Sequence, residues 1–238
     1  MLRTIIWVIY VVLHTLYTLY HLLIVYIFGA LGMREEQEER ITKTAHDWGK
    51  ALITVSGSKV EVSGTELIPQ TKAVLFVSNH QSNMDIMLLL GYIPRGKGFV
   101  AKVELQKIPL VNTWMRKMHS VFLDRQNMRQ SVQVMRQAID LLKAGHSMVI
   151  FPEGTRSKSS HMGEFKRGSL SLAVKANVPI VPITIVDSFK ILEGNKGFRI
   201  KPTHVKLLVS APIYPAELPP EQDLTELVRQ QILSRFPA

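Results

Sequence analysis

No cysteine occurs among the 238 residues of this chain. That absence excludes a disulfide framework, a thiolate nucleophile and thiolate-bound zinc or iron–sulfur centres. Charge is missing altogether from Thr4 to Met33, which reads Ile5-Ile6-Trp7-Val8-Ile9 and on to Ile27-Phe28. A helix needs about 20 apolar residues to cross a bilayer core, and this run is longer. It also outlasts the roughly 7–15 residues of a signal-peptide core and has no small-x-small exit, so cleavage is not expected. The chain lacks a phosphate-binding loop with the two-glycine Gly-Lys-Ser/Thr pattern. A serine-hydrolase elbow is missing too. The nearest string, Gly168-Ser169-Leu170-Ser171-Leu172, ends in leucine and follows no apolar strand. His119, His146, His161 and His204 show no ligand-pair spacing in sequence, so a zinc hydrolase has little support and no metal is required. There is no internal repeat or low-complexity tract.

Residues 1–34 are expected to anchor the chain to a membrane, as a single helix or as part of an interfacial or re-entrant helix pair. His14 and His21 are seven residues apart and share a helical face with Tyr10 and Tyr17. A polar face costs free energy against lipid tails, so it is expected to turn toward protein or headgroups. Arg34-Glu35-Glu36-Gln37-Glu38-Glu39-Arg40 marks the exit into water, and a helical stretch containing Trp48 follows. Residues 35–238 are of a size for one catalytic domain. Between Arg95 and Lys175 there are 15 Lys/Arg against five Asp/Glu, which accounts for the whole formal charge of +10. A solvated basic surface, an anionic substrate and an anionic membrane all fit that segment. Nothing in it resembles a zinc finger, basic zipper or RNA-binding sheet, so no nucleic acid is expected.

Ala73-Val74-Leu75-Phe76-Val77-Ser78, Met148-Val149-Ile150-Phe151 and Ile180 to Val186 are continuous apolar runs, as buried strands are. From Met128 to Lys143 the apolar residues Val132, Met135, Ile139 and Leu142 recur at helical spacing, with Gly145 as a stop. A last helix is predicted over about Gln222 to Arg235. Strands alternating with helices predict an α/β layer fold whose active groups lie on loops at strand ends. Pro182 inside the third run predicts an edge or bulged strand.

Directly after the first run comes Asn79-His80-Gln81-Ser82-Asn83-Met84-Asp85. Two residues five apart lie about 140° apart around an α-helix, so His80 and Asp85 meet only if part of the interval is a loop. A strand ending near Asn79 and a helix starting near Ser82 or Asn83 supply that break. Asp85 in the first helical turn can then fix the tautomer of His80 and leave the other ring nitrogen as a base. Taken alone, this spacing more often means a capped turn with a satisfied histidine. After the second run comes Phe151-Pro152-Glu153-Gly154-Thr155-Arg156-Ser157. Gly154 permits a tight path, Thr155 and Ser157 offer hydroxyls, and Arg156 can hold a phosphate with two hydrogen bonds. Lys102 and Arg125 add cations, although Asp124 can pair with Arg125 at the surface. A base with no serine or cysteine nucleophile nearby implies that the attacking hydroxyl belongs to the substrate.

In order along the chain, Asn79-His80 with Asp85, Lys102-x-Glu104-Leu105 with Pro109, Phe122-Leu123-Asp124-Arg125, Phe151 to Ser157 and Val178 to Ile183 resemble the blocks of the glycerolipid acyltransferase family, nearest its bacterial 1-acylglycerol-3-phosphate members. The likeness covers about residues 60 to 190. It implies an α/β domain with a mixed sheet flanked by helices, and direct acyl transfer with His80 as base and Asp85 orienting it. It further implies an acceptor site formed by Glu153, Gly154, Thr155 and Arg156, with Lys102 and Arg125 helping with phosphate. The substrates it implies are a lysophospholipid acceptor, lysophosphatidate above all, and an acyl-CoA or acyl-carrier-protein donor, with no cofactor. The place implied is a bacterial inner membrane, the domain on its cytoplasmic side among membrane lipids. Another lysophospholipid, a transacylation, or a non-catalytic membrane-surface lipid binder are the alternatives. Asn112 and His119 stand where many relatives have glycine.

Overall fold

A computed structural model describes residues 1–70 and 72–236. The chain opens with two long helices, α1 (Leu2–Ala30) and α2 (Arg34–Ser56). They form an antiparallel hairpin whose register is set by paired side-chain bonds. Gln37 Nε2 donates to the Val25 carbonyl, Trp48 Nε1 to Thr15 Oγ1, Trp7 Nε1 to the Leu52 carbonyl and Arg3 Nη1 to the Ser56 carbonyl. Only Thr18, Leu22 and Val25 of α1 are buried, and they lie on one face. The aromatic stripe of the sequence is a ladder of rings, Tyr10 on His14 and Tyr17 against His21, and His21 Nδ1 lies 3.4 Å from Arg40 of α2. Tyr10, His14 and His21 are half-buried whereas Tyr17 is exposed, so that face is turned only partly to protein. The expected boundary at residue 34 falls at the hairpin turn, so the apolar helix is part of a longer helical unit running to Ser56.

The rest is a seven-stranded sheet in the order β1-β7-β6-β2-β5-β3-β4, built from β1 (Lys59–Ser63), β2 (Leu75–Ser78), β3 (Lys97–Lys102), β4 (Val121–Leu123), β5 (Ser147–Ile150), β6 (Ile180–Val186) and β7 (His204–Val209). From β6 across to β4 neighbouring strands are parallel, and β7 with β1 runs the other way. Side chains alternate between two cores, as the period of two requires. Phe76, Val149, Val181 and Ile183 face Ile53 of α2 and Leu88 and Leu89 of α3 (Met84–Tyr92). Leu75, Val77, Met148 and Ile150 face Val134 and Ala138 of α5 (Met128–Lys143), Leu172 of α6 (Ser171–Ala176) and Val228 of α7 (Leu224–Leu233). Each fully buried large side chain of this kind contributes about 1.5–3 kcal/mol. A short α4 (Val111–Lys117) places Trp114 against Leu22 and Val25 of α1.

The hairpin sits on this sandwich through glycines. A Cβ on Gly49 would come within 2.6 Å of the Met87 carbonyl oxygen, and one on Gly91 within 2.4 Å of the Lys50 nitrogen. Thus α2 and α3 cross backbone against backbone.

Pro182 does not mark an edge. Its strand β6 is interior, paired with β2 on one side and β7 on the other. The bulge expected there is present: Ile180 bridges Ile213 while Ile183 pairs with Val209, so the opposite chain carries one extra residue. The missing N–H of Pro182 falls in that interruption, and its carbonyl still accepts from the Ser210 N–H.

Candidate active site

The parallel strands bring their C-terminal ends to one edge, where loops carry ligands in α/β sheets. From β2 the chain passes into the His80 loop and then α3. Ser82 Oγ accepts the Met84 N–H, so Ser82 caps the helix by its side chain, whereas Asn83 makes no such bond. Asp85 falls in the first turn, fully buried. Its Oδ2 accepts His80 Nδ1 at 2.7 Å and the backbone N–H groups of Gln81 and Ser82 at 2.7 and 2.8 Å, while Oδ1 accepts the Ser188 hydroxyl. A carboxylate so occupied receives the Nδ1 proton and leaves Nε2 with its lone pair. The His80 ring stacks on Phe151, 4.0 Å between centroids and 16° from parallel, so its plane is fixed from the side as well.

The loop after β5 lies against the His80 loop. Ser157 N–H donates to the His80 carbonyl and Lys158 N–H to the Gln81 carbonyl. Glu153 is buried among them. Its Oε1 accepts the His80 backbone N–H at 2.6 Å, and Oε2 accepts the Gly163 N–H at 2.8 Å. Burial pushes its carboxyl above the usual range against the opposing pull of those two N–H groups. In this arrangement each oxygen of Glu153 accepts a backbone N–H, which ties the His80 loop to the loop after β5.

Gly154 is left-handed, φ +72°, and cations converge on the space where its side chain would be. A Cβ there would lie 3.1 Å from Arg125 Nη1 and 3.0 Å from Lys166 Nζ. Arg125 and Lys166 are otherwise exposed, among the described residues neither forms an ion pair, and Thr155 is exposed on the same loop. Arg125 does not pair with Asp124, whose Oδ1 accepts the Gln126 N–H. Arg156 Nη1 is 3.0 Å from Glu193 Oε1, and the nearly buried Glu193 carboxylate also accepts the Asn83 N–H and the Ser82 hydroxyl. Lys102 ends β3 beside Leu123 of β4, its side chain is 64% exposed, and its amine lies 2.6 Å from Glu104. The structure therefore gathers His80, Asp85, Glu153, Gly154, Arg125 and Arg156 closely and ties Lys102 to its own neighbour.

Four participants went unread in the sequence. Ser188 carried a positional signal, since it follows the end of β6 by two residues. Gln81 carried one as well, adjoining His80 in the quoted string, whereas Lys166 and Glu193 carried none, because their side chains reach the site through loop paths that no local pattern encodes.

This geometry has counterparts. The family model described as Acyltransferase matches residues 59–186, more than half of the chain. The sequence is 37% identical over 179 residues to a probable 1-acyl-sn-glycerol-3-phosphate acyltransferase of Mycoplasma pneumoniae, covering 69% of this chain and 65% of that protein. It is 36% identical over 158 residues to a chloroplastic 1-acyl-sn-glycerol-3-phosphate acyltransferase of Brassica napus, covering 66% of this chain and 45% of that one. The chain thus spans about half to two thirds of the length of these relatives. The crystal structure of the 1-acyl-sn-glycerophosphate acyltransferase of Thermotoga maritima superposes with a TM-score of 0.86 at 33% identity, over 97% of this chain and 92% of that one. A His-Asp pair and a cation-lined glycine loop at one sheet edge, on a fold shared over almost its full length, lead to one assignment: the chain belongs to the acyltransferase family.

Proposed function

We propose that the chain transfers a fatty acyl group from an acyl-CoA or acyl-carrier-protein thioester to the sn-2 hydroxyl of 1-acyl-sn-glycerol-3-phosphate, yielding phosphatidate. The observation that carries this is the His80 ring, bound to Asp85 at Nδ1 and stacked on Phe151, with no protein partner at Nε2 among the described residues. Nε2 accepts the hydroxyl proton as that oxygen attacks the thioester carbonyl. Asp85 stabilises the imidazolium that results. Collapse of the tetrahedral species expels the thiolate, which takes the proton back from Nε2. No acyl-enzyme is needed, because the nucleophile comes from the acceptor.

The phosphate of the acceptor fits the cations beside Gly154. Arg125 and Lys166 have donors to spare there, and Arg156 keeps part of its guanidinium fork open while Glu193 holds the rest.

The membrane expectation takes a definite form. A helix α1 crossing the bilayer upright would drag α2 in with it, and α2 carries Arg34, Glu35, Glu36, Glu39, Lys43 and Asp47. The hairpin instead lies along the surface with the outer face of α1, including Ile5, Ile9, Leu16, Leu19, Leu23 and Ile27, sunk among the acyl chains. We place the domain on the cytoplasmic side of the inner membrane, where acyl thioesters are held.

The test is acyl transfer by detergent-purified protein from a long-chain acyl-CoA to lysophosphatidate, with lysophosphatidylcholine in parallel. Formation of phosphatidate, lost in His80→Ala, is the expected result. Full activity in His80→Ala would overturn the mechanism, and equal use of both acceptors would overturn the phosphate-site assignment.

A further inference from the structure

At the opposite end of the sheet from His80, three side chains that are remote in sequence meet. Glu38 comes from the second turn of α2, His119 from the turn between α4 and β4, and His146 from the turn between α5 and β5. One donor atom of each lies within 4.8 Å of the other two. His119 Nε2 is 2.8 Å from Glu38 Oε1, and the His119 and His146 rings stack with centroids 3.6 Å apart, which sets their nitrogens side by side. We propose that Glu38, His119 and His146 form a binding site for a divalent cation of the zinc type, separate from the catalytic edge.

Two imidazoles and one carboxylate are a donor set that zinc takes, with bonds of about 2.0–2.2 Å. Tetrahedral ligands at that length stand about 3.3 Å from each other. His119 Nε2 and Glu38 Oε1 stand at 2.8 Å and all three donors lie within 4.8 Å of one another, so only small movements separate them from a common ion. A cavity of about 540 Å³ adjoins all three residues and leaves room for water as a fourth ligand. The cations lining the same cavity are engaged elsewhere: Lys43 with Asp47, Arg95 with the Pro69 carbonyl, and Lys97 with the Leu89 and Ile93 carbonyls. Glu39 adds negative charge to the lining.

The backbone also points to a purpose for His119. It adopts φ +59°, a left-handed conformation that glycine enters freely and a bulky side chain enters at a cost. An imidazole held there in spite of that cost reaches both Glu38 and His146. Because Glu38 belongs to the hairpin and the histidines to the sheet edge, a bound cation clamps one to the other, and its effect is on stability and not on acyl transfer.

The test uses tag-free, chelator-stripped protein, equilibrium dialysis against zinc chloride, and thermal unfolding with and without the metal. Wild type is expected to bind one zinc per chain at micromolar concentration and to unfold several degrees higher when loaded. His119→Gly relieves the backbone and His146→Ala removes a surface-turn ring, so both variants are expected to keep wild-type acyl transfer, which certifies their fold. Each should lose zinc affinity by about two orders of magnitude, together with the thermal shift. No stoichiometric binding by wild type would overturn the proposal and leave Glu38–His119 as a plain hydrogen-bonded pair. Binding that survives in both variants would overturn it equally, by placing the metal elsewhere.

Discussion

The backbone N–H of His80 donates to Glu153 Oε1 at 2.6 Å, joining two loops separated by 73 residues of sequence. Through that bond the glutamate that follows β5 sets the position of the histidine that follows β2. The imidazole is therefore oriented from three sides: by Asp85 at its ring nitrogen, by Phe151 on its face and by Glu153 at its own main chain.

Glu153→Gln tests this relay. A glutamine keeps one acceptor and points an NH₂ at the second backbone N–H, leaving a buried donor unsatisfied at a cost of about 1–3 kcal/mol. Steady-state kinetics are expected to show kcat reduced by about ten- to a hundredfold, with KM for lysophosphatidate little changed. A large rise in KM with kcat intact would instead make Glu153 a contact of the acceptor.

Gly154→Ala probes the cation site. The added methyl would crowd Arg125 and Lys166 at about van der Waals contact or closer, on a backbone at φ +72° that disfavours any Cβ. KM for lysophosphatidate should rise by about tenfold or more, while hydrolysis of the acyl-CoA in the absence of acceptor stays at its wild-type level. An unchanged KM would place phosphate elsewhere.

Lys97 is fully buried, and burial lowers its ammonium to about pKa 7. In the unfolded chain it titrates near 10.4. Between those values the unfolded state binds more protons, so stability rises with pH across that window and is lowest, and flat, below it. The limiting slope is about 1.4 kcal/mol per pH unit. Lys97→Met should remove this contribution. Denaturant titrations at pH 6.5 and pH 9.5 are expected to show a smaller difference in the variant than in wild type, with the variant the more stable at the lower pH.

Gly91→Ala weighs two opposing effects. Alanine gains about 1 kcal/mol of helix propensity over glycine, but its methyl meets the Lys50 backbone nitrogen at 2.4 Å, and overpacking costs about 1–3 kcal/mol. Because the obstacle is backbone, the second effect is expected to win. Limited proteolysis should cut within α2 faster in the variant, and a lower melting temperature should accompany it.

Much of this was legible in the chain itself. The helix expected over Met128–Lys143 is observed with those bounds, because Asn127 caps it through the Gln130 N–H and Val134, Met135, Ala138, Ile139 and Leu142 share the core face, while Val132, expected there, is exposed. The three apolar runs became the three central strands, since a strand covered on both faces has no room for alternation. The outer strands β1, β3, β4 and β7 escaped notice. Lys59, Glu61, His204 and Lys206 put charge into two of them, on the face that meets water. Pro182 misled as to the edge for an instructive reason: an interior strand tolerates proline where the neighbouring chain bulges away. His80 and Asp85 were readable because both lie in one short interval after a strand. Glu193 and the Glu38, His119 and His146 trio were not, because tertiary packing alone brings their elements together.

The hairpin described above has a kinetic corollary. On the proposed placement of α1 along a lipid surface, the enzyme would meet a lysolipid acceptor by lateral diffusion within a two-dimensional film. Its acceptor then has no meaningful molarity. What governs turnover is the mole fraction of lysolipid in the film, so inert lipid or detergent added at constant total substrate slows the reaction by surface dilution, while the soluble thioester continues to obey ordinary bulk saturation.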